Sequence, residues 1–195
     1  MAVTLNASTS SGFVQTADTS GELNLQSNGS TKLSVLSTGV SGTLVQGTAV
    51  ASTSGTSIDF TNIPSWVKRI TVMFDGVSTN GTSMVCIQLG DSGGIETTGY
   101  NGGATNQSPT YTANTVGLNL VGQVVANASF MGQAVLTNIS GNNWVLSAGV
   151  QLSISNIAAA GGSKTLSATL DRIRITTVNG TDAFDAGSIN IQYEG

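Results

Sequence analysis

Between Trp144 and Ile154 the chain alternates without interruption. Trp144, Leu146, Ala148, Val150, Leu152 and Ile154 fall on one side of an eleven-residue run. A period of two over this length fits a half-buried β-strand, because an α-helix would scatter the same residues around its axis. The pattern recurs. Val85, Ile87 and Leu89 share a face; Ile173, Ile175 and Thr177 oppose Arg172, Arg174 and Thr176; Ile189, Ile191 and Tyr193 oppose Ser188, Asn190 and Gln192. One-sided alternation is what antiparallel sheets with one wet face require.

Composition agrees with strands. Ser, Thr, Asn and Gly fill most polar positions, and only 8% of the chain is charged. Such residues offer the backbone competing hydrogen bonds or excess freedom, which disfavours helix, whereas short Val/Ile/Thr runs joined by Gly/Asn turns favour sheet. Leu, Ile, Val and Phe make up about a quarter of the 195 residues, enough for a sizeable core.

The pattern predicts strands at 44–52, 57–60, 69–74, 84–89, 110–114, 116–125, 128–138, 144–155, 165–170, 172–178 and 188–193. The densest stretch is 58–77, and 69–74 is expected to be the central strand, with Ile70, Val72 and Phe74 inward and the bend at Pro64-Ser65 ahead of it. Turns are expected at Asp75-Gly76, Asn80-Gly81, Ser140–Asn143, Gly161–Ser163 and Asn179-Gly180. A short helical turn is expected at Asn156–Ala160. The fold class is therefore all-β: an antiparallel β-sandwich, jelly-roll-like, over residues 43–195.

Residues 1–42 read differently. Their apolar residues (Val3, Leu5, Phe13, Leu23, Leu25, Leu33 and Val35) are separated by Ser/Thr/Gly clusters and are too few to make a core in one copy. Two outcomes are open: a flexible tail, or an extended, mostly β arm that orders against a partner or against other copies of the chain, where a homotrimer is expected to bury all seven.

The longest connection is expected at 90–109. It places Tyr100 and Asn101, with Tyr111 just beyond, among amides and glycines, which leaves two readings: these three are candidate receptor contacts, with a host surface glycan as the partner, or this is a surface loop whose Tyr anchors it to the sandwich.

The chain holds no histidine, which removes His-based acid–base catalysis, Ser-His or Cys-His nucleophiles and most zinc sites. Gly90-Asp91-Ser92-Gly93-Gly94 matches a serine-protease nucleophile segment in letters alone; without a base for the serine proton it reads as a tight turn. The ten carboxylates are scattered and lack calcium-loop spacing, so neither a metal nor another cofactor is expected. A net charge of −4 with no basic patch argues against nucleic acid, and the lone Cys86 reads as a core thiol. Neither a signal peptide nor an 18-residue apolar run is present, so cytoplasmic synthesis without membrane insertion is expected.

Two stretches carry a resemblance. Residues 5–29, with Thr16–Gly29 reading TADTSGELNLQSNG, resemble the N-terminal segment of tail-fibre-like proteins of tailed bacteriophages. Residues 56–94, TSIDFTNIPSWVKRITVMFDGVSTNGTS…IQLGDSGG, are similar to a domain that recurs in phage fibre and other virion proteins. The resemblance implies a virion structural protein without catalytic residues. A short trimeric tail fibre is expected, attached to tail or baseplate proteins through residues 1–42 and displaying the sandwich for receptor contact. The short arm, with no long shaft, leaves a capsid decoration (cement) or head-fibre protein as the alternative.

Overall fold

The computed structural model describes residues 23–36, 39–41, 44–106, 112–122, 125–126, 128–152 and 156–195. The chain divides into two compact units, with the boundary between Leu44 and Val45.

The first unit holds a three-stranded antiparallel sheet, β1 (Leu23–Ser27), β2 (Ser30–Leu36) and β3 (Gly39–Ser41), in that order. Asn28 and Gly29 both have positive φ, the two-residue hairpin turn an Asn-Gly pair is suited to. Leu23 is paired with Val35 and Leu25 with Leu33.

The short strand β4 (Leu44–Gln46) straddles the boundary, and β5 (Val50–Ala51) follows in the second unit. There follow β6 (Ser57–Thr61), β7 (Arg69–Thr79), β8 (Val85–Asp91), β9 (Gly94–Ile95), β10 (Tyr100–Asn106), β11 (Thr112–Asn114) and β12 (Leu118–Asn119). The last five are β13 (Phe130–Ser140), β14 (Asn143–Leu152), β15 (Asn156–Thr165), β16 (Arg172–Thr177) and β17 (Phe184–Glu194).

They form two sheets. A nine-stranded sheet runs β11-β10-β15-β14-β13-β7-β17-β4, with β5 also on β17; a five-stranded sheet runs β12-β8-β16-β6, with β9 on β8. The chain passes from one sheet to the other at β6, β7, β8 and β10, and returns through β15, β16 and β17, which pair with those earlier strands. This antiparallel wrapping of late strands onto early ones gives a jelly-roll-like sandwich.

β7 lies between β13 and β17 near the middle of the large sheet, as its alternation predicts. Ile70, Val72 and Phe74 point inward and are buried, and the Phe74 ring tilts onto Phe130 with centroids 5.4 Å apart. Trp144, Leu146, Ala148, Val150 and Leu152 of β14 line the same core, facing Ile87 and Leu89 of β8 and Ile173 and Ile175 of β16. Cys86 is a buried free thiol.

Several sequence expectations are corrected. Gly161–Ser163 is not a turn: it lies inside β15, paired with β10 on one side and β14 on the other. A side chain on Gly162 would meet Gly102 Cα at 2.8 Å and Leu118 Cδ2 at 2.9 Å, so glycine is needed for close strand approach. Asp75-Gly76 is likewise internal, at a register irregularity of β7 against β17, where Gly187 faces it. Asn156–Ala160 belongs to β15 and is not helical, because pairing on both edges outweighs the alanines' local preference. Residues 166–170 form no strand, though Leu166 and Leu170 are buried, and in the 116–125 stretch only Leu118–Asn119 is strand among the described residues.

Candidate functional site

The connection expected at 90–109 is largely sheet. β8 runs on through Asp91, β9 folds back on it, and β10 pairs with both β11 and β15. Tyr100 is therefore corrected as a surface contact. Its ring is 3% exposed. Leu89 N–H donates to its hydroxyl at 2.7 Å, and that hydroxyl donates to the Glu96 carbonyl at 2.7 Å. Burial raises its pKa, so the ring is a neutral anchor with no free face for a sugar. Asn101, one residue on, points the other way and is exposed. Tyr111 lies outside the described residues, as do Val3, Leu5 and Phe13. Of the arm positions, Leu25 is exposed and Leu33 half-buried.

Around Tyr100 a polar cluster fixes the β8–β9 hairpin. Lys164, buried in β15, pairs with Glu96 and donates to the Thr98 carbonyl at 2.9 Å. Ser167 N–H donates to Glu96 Oε1 at 2.7 Å, and Ser167 Oγ donates to Asp91 Oδ2 at 2.8 Å. Burial alone would raise the Glu96 pKa, but Lys164 and Ser167 outweigh it and hold the carboxylate below its ordinary range. Asp91 is lowered too, first by Ser167 and then by Gly93 N–H, which donates to Asp91 Oδ1 at 2.8 Å. The Gly-Asp-Ser-Gly-Gly segment is thus a turn organised by its aspartate.

The outer face of the five-stranded sheet carries an open depression. Alternation on β16 sends Arg174 and Thr176 outward while Ile173 and Ile175 go to the core. The register sets Asp59 of β6, Arg174 and Gln88 of β8 in one row across three strands. Asp59 accepts from Arg174 Nε and Nη2, both at 2.7 Å, a bidentate pair that raises the guanidinium pKa. Gln88 is nearly buried and donates to the Val116 carbonyl at 2.9 Å. Thr176 Oγ1 donates to the Thr56 carbonyl at 2.8 Å, and Thr177 Oγ1 donates to Asn179 Oδ1 at 2.8 Å.

Gln88, Arg174, Thr176, Thr177 and Asn179, but not Asp59, line an open groove of about 510 Å³, walled by Thr97 and Thr98 on one side and the Val178–Gly180 turn on another. Its lining mixes hydroxyls, amides, backbone and one guanidinium with Val116 and Val178, without a carboxylate. Chemically it can form hydrogen bonds with a polyhydroxylated or anionic ligand; its lining offers no acid–base pair. The alternation of 172–178 revealed which residues face outward. That Gln88, Arg174 and Asn179 meet at one groove was hidden, because it depends on strand neighbours 86 residues apart in the case of Gln88 and Arg174.

No family model matches the chain, and no curated protein matches it. Among solved structures, the chain is similar to the CBM40 module of the Ruminococcus gnavus IT-sialidase bound to alpha2,3 sialyllactose. The identity is 15%, the TM-score 0.31, and the match covers 76% of this chain and 90% of that one.

Proposed function

We propose that this chain is a non-catalytic structural protein of a tailed-bacteriophage virion, a short fibre attached through residues 1–42 whose sandwich binds host-surface glycan in the groove beside Arg174. The groove carries the binding half of this reading: a sugar-sized polar depression of about 510 Å³ with Gln88, Arg174 and Asn179 at its wall and no carboxylate lining it. The phage half is supported by the resemblance of residues 5–29 and 56–94 to fibre proteins.

Two measurements test it. Labelling the protein on intact virions and imaging them is expected to place it at the tail or baseplate; label over the whole capsid would replace the fibre reading with the decoration one. Purified full-length protein is expected to bind host cells, and Arg174→Ala with Asp59→Ala, which removes a part-exposed ion pair without stranding a charge, to weaken that binding at least tenfold with the melting temperature little changed. Equal binding by the double variant would remove the groove from the reading.

A further inference from the structure

We infer that the outer face of the nine-stranded sheet is an interface with a second copy of this chain. This holds whatever the groove binds, since the groove lies on the opposite sheet.

The register builds this face in rows. One row runs Gln192, Thr71, Val135, Ser147, Gly161, Gly103 across six strands. The next, two residues along, runs from Asn190 on β17 to Thr105 on β10 and includes Met73, Gln133 and Ala159. Neither row holds a charge, whereas the outer face of the five-stranded sheet carries Asp59, Arg172 and Arg174. Charge enters only at the margins: on one side Arg69 and Glu194 neutralise each other at 3.1 Å, and on the other Asp75, opposite Ser188, is exposed in the row that also holds Met131 and Ile157.

Three features favour a like partner. First, two central rows without charge meet their own copy with little like-charge repulsion, since the only carboxylate outside the Arg69–Glu194 pair, Asp75, lies at the margin. Second, the face carries both knobs and a hole. Ile157 is 59% and Met131 38% exposed, and beside them lies a shallow depression of about 300 Å³ floored by Gly103, Thr105, Ala159 and Gly161. The small residues let a partner's side chain sit close to the backbone. Third, the size is right. With strands ~4.8 Å apart and outward residues ~6.8 Å apart along each strand, three rows of six strands span roughly 600 Å² in projection. Stable interfaces bury about 800 Å² per partner.

The test uses the full chain. Light scattering across about 1–100 µM is expected to give an oligomer for the native protein. Gln133→Arg with Ser147→Arg, both exposed and in the middle of the face, is expected to weaken association at least tenfold. It is also expected to raise peroxide oxidation of Met73 and Met131 severalfold, with circular dichroism unchanged. A native protein that stays monomeric would overturn the inference. So would a folded double variant that assembles with its methionines protected as in the native protein. A variant held together by the arm alone would still expose those methionines and so support the face.

Discussion

Lys164 Nζ lies 5.2 Å from the centroid of the Tyr100 ring, a cation over an aromatic face inside the edge of the sandwich. The same ammonium pairs with Glu96, so one buried charge ties β15 to the segment between β9 and β10. Lys164→Met leaves the Glu96 carboxylate, itself only 22% exposed, without its cation. The expected loss is about 2–4 kcal/mol in urea unfolding. Lys164→Met with Glu96→Gln is expected to recover part of that loss, because no charge is then stranded. A double variant worse than the sum of the singles would contradict this account.

The carboxylates of that cluster also set an acid limit. Asp91 and Glu96 are both held below their ordinary pKa. A depressed folded pKa means the unfolded chain takes up protons first. Their contribution is therefore complete above the unfolded values, about 3.9 and 4.3, and is lost as pH falls through the lower folded ones. Unfolding free energy is expected to drop between about pH 5 and pH 2. Glu96→Gln should flatten that slope while lowering stability at pH 7. An unchanged slope would mean Glu96 contributes nothing to it.

Much of this fold could be read in the chain because alternation is local. Ile70, Val72 and Phe74, and the run from Trp144 to Leu152, announce their inner faces within a few residues of themselves. The misreadings share one cause. Gly76 and Gly162 signal backbone freedom or missing bulk, but not whether a turn, a bulge or a crowded neighbour uses it. For Gly162 the neighbour is Gly102, sixty residues earlier. Tyr100 looked like a surface ring because β8–β9 and β10–β15 pairing, which encloses it, is written in no single stretch. The groove was hidden for the same reason: Asp59, Gln88 and Arg174 become neighbours only through register.

Gly162 gives a direct check on close packing. In Gly162→Val the new Cβ stands where Gly102 Cα and Leu118 Cδ2 already lie within 3 Å, so β10 must move away from β15. The expected cost is about 1–3 kcal/mol, read as a melting temperature several degrees lower. Gly149→Ala is the control, since nothing lies within 4 Å of a Cβ there.

Cys86 is expected to be inert while the sandwich is closed. Burial pushes its pKa up to about 12, so almost no thiolate exists at pH 8. Reaction with a chromogenic disulfide reagent should proceed only at the rate of unfolding, and urea should release one thiol per chain. A fast native reaction would mean that the 115–120 segment, whose Gly117 lies against Cys86, opens readily.

The arm and the sandwich are expected to separate as folding units. Every buried apolar core residue described lies at Ile58 or later, and the chain divides into two compact units between Leu44 and Val45. Removing them should leave a soluble β-rich protein with a melting temperature within a few degrees of the full chain. The functional expectation is sharper. If attachment resides in the arm, the truncated protein should lose binding to virions lacking their own copy while still competing for host cells through the groove. Retained particle binding would place attachment on the sandwich and sink that assignment. A truncation that aggregates would show instead that the sandwich depends on the arm.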